Sequence, residues 1–150
     1  MRRATILRIF NVYGPSQHPD FLVPHLIRGL VTGAVLPVGE LDHGRDWLHV
    51  DDVAAAVVCA LRAPPLPGAV RVLNVASGAA HSAREIVRTL EAITGRRLQL
   101  REDPTRKRPL EPPAEWATSS ALAALGWRPR FTLAEGLAQT WSAWADADLI

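Results

Sequence analysis

The sequence has 150 residues, the length of one domain, and its formal net charge is only +2. This charge is too small to indicate nucleic-acid binding, and a chain with 48% hydrophobic and 21% charged residues is typical of a globular protein. The single cysteine, Cys59, excludes a disulfide framework, and no run approaches the ~20 apolar residues of a membrane span. We therefore expect a cytoplasmic protein that folds as one unit over residues 1–150.

The first half of the chain alternates predicted strands and helices. Runs rich in β-branched and other apolar residues predict strands at 4–10, 35–38 and 46–50. Apolar residues at helical spacing, with a proline only in the first turn, predict a helix over 21–31 that stops at Gly33. Asp51 is the predicted N-cap of a second helix. The apolar stripe of that helix is expected to comprise Val53, Val57 and Leu61.

The second half continues the alternation. A strand is predicted at 70–75, and Ser82 with Glu85 forms a capping box for a helix that Gly95 closes. A short strand at 98–100, a proline- and arginine-rich loop at 104–113 and a short helix at 120–125 follow. Thr132 and Glu135 form a second capping box before a last helix. Strands that alternate with helices in this way predict an α/β fold.

Recognised catalytic signatures are absent from the sequence. No closely spaced glycines stand between a strand and a helix, as a Rossmann phosphate-binding loop requires. The single tyrosine, Tyr13, has no lysine four residues later, because the only lysine is Lys107. The five histidines are scattered, which disfavours a metal site. The sequence thus predicts no catalytic residue and no metal ligand.

Two arginine segments instead indicate the binding of an anion. Arg45 follows a turn and precedes Asp46, so its guanidinium can fork onto a phosphate while Asp46 orients it. A surface ion pair of little energetic value explains the same two residues equally well. The second segment, Arg106 to Arg108, is by itself more often a solvated face; Pro109 and Glu111 add a fixed backbone and an acceptor for hydroxyl groups.

Asn11, at the end of the first strand, leaves two interpretations open. Its amide can donate to a ligand, or it can simply form the turn that follows the strand. The turn is slightly favoured by the residues alone. Tryptophans 116, 127, 141 and 144 are more typical of packing than of a stacking platform.

Several motifs in order resemble the extended short-chain dehydrogenases of the NAD-dependent epimerase/dehydratase family. The segments that carry the resemblance are RIFNVYGP at 8–15, QHPDFLVP at 17–24, VGELDHGRDW at 38–47, NVASG at 74–78, RPLE at 108–111 and LGWRP at 125–129. They are most similar to the branch of the GDP-mannose 4,6-dehydratases and the GDP-4-keto-6-deoxymannose reductases. The match runs from about residue 4 to the end of the sequence.

The resemblance implies roles for named residues. Asn11 would contact the substrate diphosphate, and Val38 and Gly39 would line the nucleotide base. The diphosphate would be clamped by Arg45 and Arg108. The ribose hydroxyls would be bound by Glu111, and Phe10 with Asn11 would lie beside the nicotinamide.

The resemblance also implies a fold and a function. The chain is expected to be the C-terminal, substrate-binding half of such an enzyme: a partial Rossmann-like sheet plus a small α/β substrate lobe, with the cofactor half missing. It would bind a nucleotide-diphosphate sugar, a GDP-sugar above all, and be catalytically incomplete. NAD or NADP would belong to the complete enzyme and would not be held tightly by this chain alone.

Two further functions stay open at this stage. One is a non-enzymatic module that binds or senses nucleotide-diphosphate sugars, and the other is an inactive remnant that associates with a partner. The uncovered flank of the first strand and two apolar helices favour association, either with another copy of the chain or with an N-terminal half.

Overall fold

The computed structural model describes residues 2–106 and 112–145, and it confirms the predicted alternation of strands and helices. The strands are β1 (Ala4–Ile9), β2 (Asn11–Tyr13), β3 (Val35–Val38), β4 (Gly44–His49), β5 (Val70–Val75), β6 (Ala80–Ser82), β7 (Gln99–Glu102) and β8 (Ala114–Glu115). The helices are α1 (Leu22–Thr32), α2 (Val50–Arg62), α3 (Ala83–Thr94), α4 (Ser120–Ala123) and α5 (Leu133–Ala145), with a 3₁₀ turn at Pro104–Arg106.

The strands pair in three small groups. β1 and β5 lie parallel, with Ala4 beside Val70 and Ile9 beside Val75. β4 is the centre of the second group, since it pairs with β2 and β8 in parallel and with β6 in antiparallel orientation. β3 and β7 form a parallel pair. Parallel partners far apart in the sequence require helical crossovers, which explains why the helices stand between them.

Three apolar clusters of described residues hold these groups together, and the smallest comprises Val38, Leu41 and Ala83. The largest joins α1, α3 and α5 around Leu26, Ile86 and Leu137, which are fully buried. The second joins β4, β5 and α2 to the segment after α4, where Trp127 is buried, as its predicted packing role requires. Trp116, in contrast, is exposed.

Local signals predicted the helix ends well. The Ser82–Glu85 capping box is formed, and so are the reciprocal bonds between Thr132 and Glu135. Gly95 ends α3 in the left-handed conformation, at φ 66°. The predicted N-cap of α2 is wrong by two residues: the helix begins at Val50, so His49 is the N-cap and Asp51 lies in the first turn.

The buried face of α2 also differs from the predicted stripe. Asp52, Ala56 and Ala60 are the buried residues of this helix, whereas Val57 is 38% and Leu61 is 73% exposed. Alanines allow the helix to approach the sheet closely, so Ala56 and Ala60 face the core. The predicted stripe is wrong for Val57 and Leu61, whereas Val53 is half-buried and packs against this core.

The β1–β5 pair is covered on one face. Leu73 and Val75 pack toward α2, while Ile6, Val70 and Val72 on the other face are exposed, Ile6 by 49%. Parallel sheets are ordinarily covered on both faces. Association through this flank stays a prediction. Within 2–106 and 112–145, no helix is long and apolar enough to cross a membrane.

Candidate ligand-binding cleft

A cleft of about 740 Å³ opens between β2, β3, β4 and the start of α1. It brings together four of the residues to which the sequence assigned a ligand: Asn11, Val38, Gly39 and Arg45. Other lining residues include Gln17, Phe21, His25, Trp47 and Arg106. The cleft is therefore both polar and apolar, as a site for a nucleotide with its base and phosphates must be.

Asn11 occupies the end of the cleft at β2. Its Nδ2 donates to the backbone carbonyl of Asp46 at 3.1 Å, which ties β2 to β4 through a side chain. The bond fixes the orientation of the amide, with the Oδ1 atom and the second N–H left to serve other groups. The structure thus assigns Asn11 a structural bond while leaving it on the wall of the cleft.

Arg45 reaches the cleft from β4. Its Nη1 donates to the carbonyls of Gly44 at 2.7 Å and Pro112 at 3.1 Å. Two carbonyl acceptors hold one side of the guanidinium in place. The orientation of the arginine at the wall of the cleft is thereby fixed.

The carboxylate of Asp46 binds the loop before β6 and does not orient Arg45 as the sequence predicts. Its carboxylate is fully buried and accepts the backbone N–H of Ser77 at 2.6 Å and of Gly78 at 3.0 Å. Successive side chains of a strand point to opposite faces, so Asp46 and Arg45 lie on different sides of β4. Asp46 fixes the loop before β6.

At the opposite end of the cleft, the backbone of Arg106 closely approaches Gly39. A Cβ built on Gly39 would lie 2.5 Å from the carbonyl oxygen of Arg106. The 3₁₀ turn is drawn to this position by the N–H of Asp103, which donates to the carbonyl of Val38 at 2.8 Å. A glycine at position 39 is therefore required for the 3₁₀ turn to form this wall of the cleft.

His25 and Phe21 line the cleft from α1 and were not recognised in the sequence. The pKa of the His25 imidazole lies below its ordinary value, chiefly because of burial and then because of the charges of Arg28 and Arg106. The carbonyl of Pro37 and the charge of Asp20 oppose this shift. Phe21 is the N-cap residue of α1 and His25 lies in the helix. Their positions within the QHPDFLVP motif at 17–24 and directly after it are the signal that could have revealed them.

The other predicted site residues divide into two groups. Phe10 is half-buried and donates its backbone N–H to Val75 at 3.2 Å, and it is not among the residues that line the cleft. Arg108 and Glu111 lie outside the described residues. In the part of the chain that the structure describes, no cluster of His, Cys, Asp or Glu is suited to a metal ion.

The model of the NAD dependent epimerase/dehydratase family matches residues 2–76, half of the chain. The chain belongs to this family. GDP-6-deoxy-D-mannose reductase of Pseudomonas aeruginosa is 31% identical over 95% of the chain and 48% of the relative. GDP-L-fucose synthase 1 of Arabidopsis thaliana is 35% identical over 87% of the chain and 42% of the relative. The chain thus spans about half the length of the curated relatives it matches.

Solved structures of the epimerase/dehydratase family share the fold. MoeE5 in complex with UDP-glucuronic acid and NAD is 31% identical and superposes with a TM-score of 0.83, over 94% of this chain and 46% of MoeE5. The RMD enzyme of Pseudomonas aeruginosa, complexed with NADPH, is 28% identical with a TM-score of 0.81, over 93% and 48% of the two chains. Family members therefore bind NAD or NADPH, and some bind UDP-sugars.

The family match corrects two expectations. The assignment to a C-terminal, substrate-binding half is wrong, because the match covers residues 2–76, the amino-terminal Rossmann region of the chain. The predicted fold class, a partial Rossmann-like sheet plus a small α/β substrate lobe with the cofactor half missing, is wrong as well. The matched segment contains β1, the crossover helix α2 and the parallel strand β5, a Rossmann-like α/β arrangement of the kind found in the cofactor portion of these enzymes.

Proposed function

We propose that the chain binds a nucleotide-diphosphate sugar, and a GDP-sugar in preference to others, in the cleft between β2, β3 and β4. The observation that carries this proposal is the placement of Arg45 and Asn11 in one cleft with Val38 and Gly39. Four residues from three separate strands and the loop after β3 meet there, although up to 34 positions separate them in the sequence. The names of the relatives, which include a GDP-6-deoxy-D-mannose reductase and a GDP-L-fucose synthase, support the choice of nucleotide.

The diphosphate is assigned to the Arg45 end of the cleft. A guanidinium forms short, charge-assisted hydrogen bonds to phosphate oxygens, and its planar donors suit two oxygens at once. Because Nη1 is already held by two carbonyls, little side-chain freedom is lost when the phosphate binds. Trp47, whose Nε1 donates to the carbonyl of His81 at 3.0 Å, gives this end a fixed wall.

The base is assigned to the end formed by Val38 and Gly39. Val38 is buried in the wall, and Gly39 lets the backbone of Arg106 approach closely enough to close this end of the cleft. By the family resemblance, Arg108 is the second cation on the diphosphate and Glu111 binds the ribose hydroxyls. A carboxylate is a natural acceptor for two neighbouring hydroxyl groups.

A nicotinamide cofactor fits the chain only in part. Phe10 and Asn11 are the residues proposed to lie beside it, and the sequence contains no glycine-rich loop for its pyrophosphate. We therefore derive no hydride-transfer step. The sequence also has no Tyr-x-x-x-Lys pair, so the 150-residue chain, measured alone, is proposed not to turn over NADH or NADPH.

Calorimetry tests the proposed binding. GDP and GDP-mannose should bind the full chain more tightly than UDP-glucose does. Arg45→Ala should weaken GDP by about 10- to 100-fold, the value of a charge-assisted hydrogen bond to phosphate. Arg84→Ala is the matched control, since Arg84 pairs with Asp42 at 2.6 Å and does not line the cleft. Absence of GDP binding, or equal binding in Arg45→Ala, would refute the proposal.

A further inference from the structure

The outer side of α2 carries a continuous apolar stripe. Its members recur at intervals of three and four residues, so they share one side of the helix, opposite to the buried Asp52, Ala56 and Ala60. The exposed members of this α2 stripe are Val50, Ala54, Val57, Val58 and Leu61. Leu61 is 73% exposed. All five are apolar, whereas the outer face of a helix on a globular protein is ordinarily polar.

The α2 stripe is separate from the surfaces described above. Its five residues are not among those that line the cleft. It also lies on the side of α2 away from the sheet, because Leu73 and Val75 of β5 pack with the buried alanines of this helix. Single apolar residues are common on protein surfaces, but a contiguous set on one helix face indicates contact with another molecule.

The two ends of the α2 stripe carry opposite charges. Asp51 lies in the first turn, with 49% of its side chain exposed, and the exposed Arg62 lies in the last turn. The two are separated by about three helical turns, so both lie along the same edge of the stripe. If the α2 helix of a second copy ran antiparallel, its Arg62 would come beside Asp51 of the first copy, and the reverse contact would form at the other end.

One register satisfies the apolar and the charged groups together. It pairs Val50 of one copy with Leu61 of the other and places Ala54, the smallest residue of the stripe, near the two-fold axis. In the same register, Asp51 and Arg62 of the second copy differ in position by only about 3 Å along the helix axis. The antiparallel arrangement also brings the negative end of each helix dipole beside the positive end of the other.

We propose that the α2 stripe is the interface of a two-fold dimer, in which the α2 helices of two copies of this chain pack antiparallel. The occupant is a second copy because the stripe is complementary to itself in apolar spacing and in charge, as a two-fold contact requires. A membrane surface is a poorer match, since helices that bind one carry Lys and Arg along the polar face, whereas Asp51 flanks this stripe.

The size of the contact sets the expected strength of the dimer. Because α2 has 13 residues, or about 20 Å of helix, one helix pair buries less than the ~800 Å² per partner of a stable interface. The dimer is therefore expected to be weak. Its dissociation must be followed over a wide range of protein concentration, from about 10 μM to about 1 mM.

Sedimentation equilibrium of the full chain tests the proposal. With rising concentration, the average mass should increase from the 16.4 kDa of the monomer toward twice that value. Leu61→Glu places a carboxylate in the α2 stripe and should weaken the dimer by more than about tenfold. Val70→Glu is the matched control, because Val70 is 66% exposed on the face of the β1–β5 pair that points away from α2. Its dissociation constant should equal that of the unmodified chain.

An exchange of the two charges tests the antiparallel orientation. Arg62→Glu alone brings two carboxylates together at each end of the interface and should weaken the dimer about fivefold. Asp51→Arg combined with Arg62→Glu restores opposite charges and should return the dissociation constant to within about twofold of the original. Damage to the helix would give the reverse order, because both substitutions oppose the helix dipole and the double variant would be the worse of the two.

The possible outcomes decide between the α2 stripe and other surfaces. A monomer at every concentration refutes the proposal. A dimer that dissociates in Val70→Glu and persists in Leu61→Glu refutes it too, and assigns the interface to the β1–β5 pair. If the double exchange weakens the dimer as much as Arg62→Glu alone, the antiparallel pairing is wrong. Circular dichroism shows whether each variant is folded, and if Leu61→Glu is not, the charge exchange alone decides.

Discussion

The carboxylate of Asp52 holds the backbone of Arg130, with Oδ1 accepting its N–H at 3.0 Å across 78 positions of sequence. The other oxygen accepts the N–H of Phe131 at 3.2 Å, and the Asp52 carbonyl accepts Nε1 of Trp127 at 3.0 Å. Asp52 is only 1% exposed. The first turn of α2 is therefore hydrogen-bonded to residues 127–131, the segment that leads into α5.

Asp52→Ala is expected to lower the free energy of unfolding by about 2–4 kcal/mol. Two backbone N–H groups would lose their acceptor in a site that water reaches poorly. Asp52→Asn should cost less, because its amide oxygen can still accept one bond. Urea denaturation followed by circular dichroism measures both changes.

Asp51→Ala is the control for this prediction. Asp51 stands one position earlier in the same turn. Among the described residues, its carboxylate contacts only Gln139 at 3.5 Å and His49 at 3.7 Å. The expected loss is below about 1 kcal/mol. Equal losses of unfolding free energy in the Asp51 and Asp52 variants would contradict the prediction. They would show that the stabilisation comes from negative charge near the helix N-terminus and not from the hydrogen bonds to Arg130 and Phe131.

Gly136→Ala is expected to lower the free energy of unfolding by about 1–3 kcal/mol. Gly136 is buried in α5, and a Cβ there would overlap the hydroxyl of Tyr13, which itself donates to the carbonyl of Leu133 at 3.5 Å. Tyr13→Phe alone removes one long hydrogen bond and should cost little. Combined with Gly136→Ala it should recover part of the loss, because the overlapping oxygen is gone. Strictly additive losses in denaturant titrations would contradict this account.

The sequence predicts helix ends in this protein better than it predicts helix faces. The ends depend on nearby residues, as Ser82 with Glu85 and the glycine at 95 show. The buried face of α2 depends on what packs against it. Ala56 and Ala60 face the sheet because their size permits close approach, and no periodicity distinguishes that face from the valine stripe.

The candidate site was predictable to a similar extent. Asn11, Val38, Gly39 and Arg45 could be selected from motifs in order, and the structure places them in one cleft. Strand alternation could have separated Arg45 from Asp46, since adjacent residues of β4 must point to opposite faces. The contact between Arg28 and His25 could not be predicted, because the Nη2 atom of Arg28 comes within 3.3 Å of Nδ1 of His25 only after α1 forms.

Acidification is expected to destabilise the protein through His49 below pH 6.5. Burial lowers the pKa of this histidine from its ordinary value of 6.5, against the opposing charges of Asp51 and Asp52. The unfolded chain therefore binds the proton more readily than the folded chain does. The stabilisation is complete above pH 6.5 and declines as the pH falls toward the lowered folded pKa, by at most about 1.4 kcal/mol per pH unit for one proton.

His49→Asn provides the measurement for this pH effect. Nδ1 of His49 caps α2 by accepting the N–H of Asp51 at 3.3 Å, and asparagine can supply the same cap without titrating. The free energy of unfolding, measured from pH 7.5 to 5.5, should slope less in the variant. Some slope should persist, because the pKa of His25 is lowered as well. Identical slopes in both proteins would contradict the assignment to His49.

Gly39→Ala is expected to reduce GDP affinity by more than about tenfold. The new Cβ would lie 2.5 Å from the carbonyl oxygen of Arg106, and this neighbour is backbone that cannot rotate away. The N–H of Arg106 donates to the Asp103 carbonyl at 3.0 Å, so the 3₁₀ turn must shift as a unit and deform the base end of the cleft.

Gly33→Ala distinguishes a blocked cleft from a general cost of replacing glycine. No atom of another described residue outside the adjoining chain lies within 4 Å of a Cβ at Gly33, but φ is +69°. Alanine there should therefore cost about 1 kcal/mol of stability and leave GDP affinity unchanged. Calorimetry and denaturant titration of both variants make the comparison. If Gly39→Ala behaved as Gly33→Ala does, the 3₁₀ turn could move without affecting the ligand, and the base would have to bind elsewhere. A selective loss of affinity in Gly39→Ala would mean that the approach of Arg106 to Gly39 sets the width of the base end.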